Sequence, residues 1–235
     1  MLIDLHTHTR FGSTDAMLDP DELIERSKAA GLDAVVLSEH DHTWSREDIR
    51  ALGQRHNFLV LPGLEVSTNH GHILVYGVEV FDPSMREPEV LADLVRSANG
   101  AMVAAHPYRL HAPMDWRNAE EHARAVMAAL ANPAYELAHA VEVINGHGRP
   151  EQNHFSELVA LGLGRPGTAG TDSHQASDIG KAATYFDRDI RNERDLIEEI
   201  LAGRCWAVDL TSGSLTEDVR RHGVPTRLPS VSPTS

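Results

Sequence analysis

Residues 2–9 read Leu2-Ile3-Asp4-Leu5-His6-Thr7-His8-Thr9. A short, mostly apolar run predicts a buried strand, and two histidines follow it at i and i+2. Side chains alternate along an extended chain, so His6 and His8 leave on the same side. Two imidazoles on one side supply half of a four-coordinate metal site. The same pattern recurs along the chain. Val35-Val36-Leu37-Ser38-Glu39-His40-Asp41-His42 is an apolar run ending in histidine and carboxylate. Leu59-Val60-Leu61-Pro62-Gly63-Leu64-Glu65 sets a carboxylate among apolar neighbours, where it would be costly unpaired. His72 opens the run Ile73-Leu74-Val75-Tyr76. His106 closes Met102-Val103-Ala104-Ala105, and Asp172 and His174 follow Gly167-Thr168-Ala169-Gly170-Thr171.

Nine short apolar runs, at 2–5, 34–37, 58–61, 73–78, 101–105, 141–144, 167–170, 182–186 and 205–208, predict strands. Helical patterns lie between many of them. Asp19-Pro20-Asp21-Glu22 offers a capping side chain, a proline at the first helical position and early acidic residues, with Gly31 as the stop. Ser45 opens a second helix in the same way, and further helices are predicted over 88–98, 117–131, 151–161 and 194–201. Strand–helix alternation at this spacing predicts an α/β fold with parallel strands and crossover helices. In a parallel barrel the strand C-termini open on one face, so the scattered histidines and carboxylates would converge there. Nitrogen and oxygen donors without sulfur suit zinc, manganese or iron.

The 235 residues carry a formal charge of −14, 15 histidines and one cysteine. That charge argues against holding long nucleic acid by phosphate neutralisation. The lone Cys205 excludes an internal disulfide and a thiolate zinc site. No basic n-region with an apolar stretch opens the sequence, and no run reaches membrane-spanning length, so a cytoplasmic protein with no membrane partner is expected. One domain is expected over residues 1–210. Residues 211–235, rich in serine, threonine and proline, are expected as a loosely packed or extended tail. The sequence is silent on oligomeric state.

The strings DLHTHT, SEHD, GLEVS, HILVYG, AHPYR and GTDSH together resemble the motifs of the polymerase and histidinol phosphatase (PHP) domain superfamily. The likeness runs from residue 2 to about residue 208. It implies a distorted seven-stranded (β/α)7 TIM-like barrel and two or three divalent ions (Zn, Mn or Fe). Carried over residue by residue, it implies that His6, His8 and Asp172 hold one ion. Glu65 would bridge to a second, completed by His72 and His106. Asp15, His40 and His174 would hold a third. Two positions depart from the family pattern. Asp15 follows His8 by a longer gap than is common, and Ser38-Glu39-His40 stands where the family has TDH.

The implied activity is hydrolysis of a small phosphomonoester or nucleotide phosphoester. Water activated at a di- or trinuclear centre would attack phosphorus in line. Glu65 would act in the reaction as the bridging carboxylate, and Asp41, His42 or His147 are candidates to protonate the leaving group. Arg109 and Arg149 are candidate phosphate clamps. Glu142, Asn145 and His147 are expected at the mouth as substrate contacts or supports for the ligands. Two other readings share the pattern. An amidohydrolase- or TatD-type hydrolase also carries HxH after its first strand, although neither Lys28 nor Lys181 follows a strand suitably for a carboxylated bridge. A non-catalytic metal-binding scaffold is the other.

Overall fold

The computed structural model describes residues 1–211, so the expected tail, Thr211 apart, lies outside the described residues. Ten strands form two five-stranded sheets. The first contains β1 (Leu2–Thr7), β2 (Ala34–Leu37), β3 (Leu59–Pro62), β9 (Ala182–Tyr185) and β10 (Trp206–Asp209), in the order β10-β9-β1-β2-β3. The second contains β4 (Leu64–Thr68), β5 (Gly71–Tyr76), β6 (Ala101–Ala104), β7 (Ala140–Asn145) and β8 (Gly167–Gly170), in that order.

The mixed α/β class is as expected, but the closed seven-stranded parallel barrel is not found. β4 was not anticipated as a strand. It pairs antiparallel with β5, and β5 pairs antiparallel with β6. Only Asn69 and His70 separate β4 from β5, and so short a link forces a hairpin; a parallel crossover needs a dozen residues or more. β9 is antiparallel to both β1 and β10. The sheets meet at two seams. At one, the chain passes from β3 through Gly63 into β4, and a single bridge joins His40 to Glu65. At the other, a single bridge joins Thr7 to Ser173. Both seams lie where the sequence places ligand candidates.

Period-two alternation explains the layering. Leu2, Val35, Leu37 and Val60 face helices α1 (Pro20–Ala29) and α2 (Arg46–His56), packing on Leu23, Ile24, Ile49 and Leu52. Alternate residues Ile3, Leu5, Val36 and Leu61 point inward and meet Leu74, Tyr76 and Val103 of the second sheet. The outer face of that sheet, including Val66, Ile73 and Val75, is covered by α3 (Pro88–Ser97), α6 (Pro133–Leu137) and α7 (Pro150–Leu163). Short α4 (Tyr108–His111) follows β6, α5 (Ala119–Leu130) packs on α7, and α8 (Glu193–Leu201) packs on β6.

The expected caps are formed. Asp19 accepts from Asp21 N at the start of α1, and Ser45 accepts from Asp48 N at the start of α2. Gly164 ends α7 in the left-handed conformation. No described helix is long and apolar enough to cross a membrane. Cys205 is buried and its thiol is pushed up to about 12 by burial, so it is an inert packing residue.

Candidate metal centre

His6 and His8 leave β1 on one side, as their spacing requires, and both rings are fully buried. Gly170 on β8 permits this placement, because a Cβ there would lie 2.4 Å from His6 Cβ. Opposite them stand Glu65 from β4 and Asp172 from the loop after β8, both fully buried. His6 Nε2 lies 3.3 Å from Glu65 Oε2 and 3.4 Å from Asp172 Oδ1. His8 Nε2 is 3.2 Å from each of the same two oxygens. None of these four atoms makes a directed hydrogen bond, although all are buried. They are close enough to attract one another, yet they do not point at one another. Buried polar atoms are rarely left so, and each instance calls for a cause. Ligands about 2.0–2.2 Å from a tetrahedral cation sit about 3.3–3.6 Å apart. The observed 3.2–3.4 Å separations fit a cation among these four atoms.

The electrostatics agree. Burial lowers the pKa of His6, but Asp172, Glu142 and Glu65 outweigh it and hold the imidazole well above its ordinary range. Against the same burial, Asp172 and Glu65 push His8 up to about 9. Burial raises Glu65 and Asp172, yet His6 leads the histidines that hold both carboxyls well below the usual range. Without a cation, protons on the imidazoles balance the carboxylates. A divalent ion would take over that balancing charge.

Glu65 is shared between groups. Its Oε1 lies 2.9 Å from His72 Nδ1 and 3.0 Å from His106 Nε2, while its Oε2 faces His6, His8 and, at 2.9 Å, His40 Nδ1. A third group stands at the rim. Asp15 Oδ2 is 3.4 Å from His40 Nε2 and 3.3 Å from His174 Nε2. His8, His40 and His174 also bring ligand atoms within 4.8 Å of one another. The rim is open: Asp15 is 56% exposed, His40 23% and His174 21%. All nine sequence-derived ligand candidates therefore lie in one cluster. Asp172 and His106 hold left-handed backbone, with φ of 54° and 29°, where β8 and β6 turn into their loops. Such φ values are uncommon outside glycine and concentrate at functional sites.

The other candidates separate. Arg109 bonds Asp172 Oδ2, the oxygen on the far side from the histidines. Asn145 Nδ2 donates to Asp172 Oδ2 at 3.2 Å and to Glu142 Oε2 at 3.0 Å. Glu142 Oε1 in turn lies 2.9 Å from His6 Nδ1. Both residues therefore support ligands from behind, inside the protein. His147 is half-buried at the edge, with Nε2 3.0 Å from the Asp172 carbonyl. Asp41 is placed differently from expectation. Its Oδ1 accepts from Ser67 N at 2.9 Å and its Oδ2 pairs with Arg86 at 2.9 Å, so it braces the seam between the sheets. His42 is exposed and makes no hydrogen bond or ion pair among the described residues. Arg149 immediately precedes α7 and pairs with Glu151 at 3.2 Å, in contact with none of the cluster. Neither lysine reaches the cluster: Lys28 Nζ donates to His56 O and Lys181 Nζ to Asp178.

Asp4 and Ser13 escaped the sequence reading, and Glu39 entered it only as a departure from the family pattern beside His40. Asp4 accepts from Thr171 N at 2.9 Å and from Thr171 Oγ1 at 2.5 Å, tying β1 to the loop that carries Asp172. Burial pushes its carboxyl up to about 7. Ser13 and Glu39 lie buried under the rim. Asp4 and Glu39 stand within the strings DLHTHT and SEHD, and their signal was a carboxylate next to an apolar run.

A family model described as the PHP domain matches residues 4–160, and one described as PHP-associated matches residues 150–205. The chain is 30% identical over 127 residues to the 5′-3′ exoribonuclease Rnm of Salmonella typhimurium, covering 51% of this chain and 42% of that protein. It is 33% identical over 87 residues to a 3′,5′-nucleoside bisphosphate phosphatase of Chromobacterium violaceum, covering 35% of this chain and 30% of that protein. It thus spans less than half the length of these two relatives. Among solved structures, a two-domain protein of Bacteroides vulgatus, described as containing a predicted PHP-like metal-dependent phosphoesterase, superposes with a TM-score of 0.62 at 19% identity. That match covers 89% of this chain and 65% of the other and speaks to the fold. With two thirds of its length under the PHP domain model and its histidines and carboxylates gathered into one buried cluster, the chain belongs to the PHP domain family.

Proposed function

We propose that this protein is a metal-dependent phosphoesterase that hydrolyses a small phosphomonoester or nucleotide phosphoester. The observation that carries this reading is the set of four buried ligand atoms without hydrogen-bond partners, on His6, His8, Glu65 and Asp172. Oxygen and nitrogen donors of this kind suit zinc, manganese or iron, and the further His40, His72, His106, His174 and Asp15 groups give room for two or three ions. Ions held there supply Lewis acidity toward a phosphoryl oxygen and make water acidic enough to serve as nucleophile near neutral pH.

The chain's own residues supply the rest. Glu65 divides its two oxygens between neighbouring ligand groups and so fixes their spacing. Arg109, 39% exposed, spends one guanidinium nitrogen on Asp172 and keeps other donors for the non-bridging oxygens of a phosphate. Asn145 and Glu142 hold Asp172 and His6 in orientation. A nucleotide is the favoured substrate class. One relative is named a 5′-3′ exoribonuclease and another a 3′,5′-nucleoside bisphosphate phosphatase, and the −14 charge disfavours long nucleic acid while leaving mononucleotides and short RNA ends accessible. A cytoplasmic location suits a chain with one thiol.

The test is a release screen on metal-loaded protein. It would compare 3′,5′-bisphosphorylated nucleosides, nucleoside monophosphates, sugar phosphates and 5′-phosphorylated short RNAs with amides and lactones. Hydrolysis of a nucleotide phosphoester is expected. Turnover of amides or lactones alone would contradict the proposal.

A further inference from the structure

Glu39 is fully buried, and no step proposed above uses it. Its carboxylate accepts four hydrogen bonds. Oε2 takes Thr9 N at 2.9 Å and Ser13 Oγ at 2.6 Å; Oε1 takes Thr9 Oγ1 at 2.5 Å and Trp44 Nε1 at 3.0 Å. An ionised carboxylate is acceptor-only and can satisfy two donors per oxygen. The Ser13 hydroxyl has a single proton, and that proton is committed to Glu39. Its lone pairs remain for two other neighbours, His40 N at 3.1 Å and His8 Nδ1 at 3.1 Å. A hydroxyl with its proton committed can only accept from the imidazole. His8 Nδ1 must then carry hydrogen, so Nε2, the atom that faces Glu65 and Asp172, is the nitrogen that offers a lone pair once its own proton gives way to a cation.

We infer that Ser13 and Glu39 are a positioning pair that fixes the His8 tautomer and anchors the backbone of His40 through one shared hydroxyl. The neighbouring His6 uses a different device, since its Nδ1 meets the Glu142 carboxylate directly. Gly12 belongs to the same arrangement, because a Cβ there would lie 2.3 Å from Glu39 Cγ. The loop that carries Ser13 can pass over the glutamate only without a side chain at that point. The pair thus links a buried ligand with one at the rim. The inference rests on the reading of His8 as a metal ligand.

The test uses the full chain and zinc as the probe. Zinc affinity would be measured by competition with a chromophoric chelator for wild type and Ser13→Ala, with far-UV circular dichroism as the check on folding. Loss of a partner behind a ligating histidine is expected to weaken zinc by about 10–100-fold. Nitrogen-15 NMR of the zinc-loaded wild type gives a second readout that does not depend on the variant folding. It is expected to show His8 with hydrogen on Nδ1 and zinc on Nε2. Unchanged zinc affinity in folded Ser13→Ala, or zinc on His8 Nδ1, overturns the positioning role. A wild type that takes up no zinc, manganese or iron overturns the metal reading and this inference with it.

Discussion

The floor and the rim of the cluster use the same residue types in opposite settings. His6, His8, Glu65 and Asp172 are fully buried, while Asp15 is more than half exposed and His40 and His174 are partly so. On the floor, every charge needs a partner because desolvation penalises it, and the partners are one another. At the rim, water shares that duty. On the proposed reading, the floor would be a preformed cage in which protons and cations compete, whereas the rim would be a shallow site that gains or loses an ion at less cost.

The largest effect should come from removing a floor ligand. Asp172→Ala deletes a partnerless buried oxygen and the anchor of Arg109. If metal polarisation supplies several kcal/mol, kcat/KM should fall by about 10³-fold or more. Metal content measured on the same sample should fall with it. Equal losses from Asp172→Ala and Asp15→Asn would erase the distinction between floor and rim.

Proton linkage separates the two regions next. The raised pKa of His8, about 9, means its pairing with Asp172 and Glu65 stabilises the metal-free fold fully below the ordinary histidine value of 6.5. That contribution is lost as pH rises through about 9. The depressed carboxyls of Glu65 and Asp172 contribute above 4.5 and 3.8, and that part is lost on acidification. The metal-free protein should accordingly melt highest between about pH 5 and 6.5. A floor cation must displace the protons of both His6 and His8, so its affinity should rise by more than about tenfold per pH unit as pH climbs from 6.5. His174 is lowered by burial and holds no proton to displace in that range, so it should add no pH dependence to affinity at the rim. Metal titrations at several pH values, read by calorimetry, check both slopes.

Smaller effects follow outward. Arg109→Gln should raise KM for a phosphoester by about 10–100-fold, the worth of a charge-assisted hydrogen bond. Asp15→Asn should lower activity by about tenfold and loosen only the most weakly held ion. Arg149→Ala, a surface residue paired to Glu151, should change kcat/KM by less than about twofold. Steady-state kinetics on the three variants rank them.

Much of this contrast was legible in the sequence. The i, i+2 spacing of His6 and His8 dictated a common direction, and apolar runs before His40, His106 and Asp172 marked strand ends. Eight of the nine ligand candidates meet because they lie at or near strand ends, whereas Asp15 comes from the loop that follows β1. What the sequence hid was connection. Leu64–Thr68 read as the tail of one apolar run, and only the seam at Gly63 reveals it as a strand of the other sheet. Asp41 and Arg149 occupy strand and helix ends like the true members of the cluster, but local partners, Arg86 and Glu151, claim them. The shared role of Ser13 and Glu39 stayed hidden because it depends on which proton a hydroxyl gives away, which spacing does not encode.

The most direct test is to strip the purified protein with chelator and measure metal content and nucleotide phosphoester hydrolysis together as one divalent ion is added back. Zinc, manganese or iron should restore both in step, with the first equivalent entering the floor and Asp172→Ala restoring neither. Full hydrolysis in stripped protein holding far less than one equivalent of metal would contradict the metal centre outright.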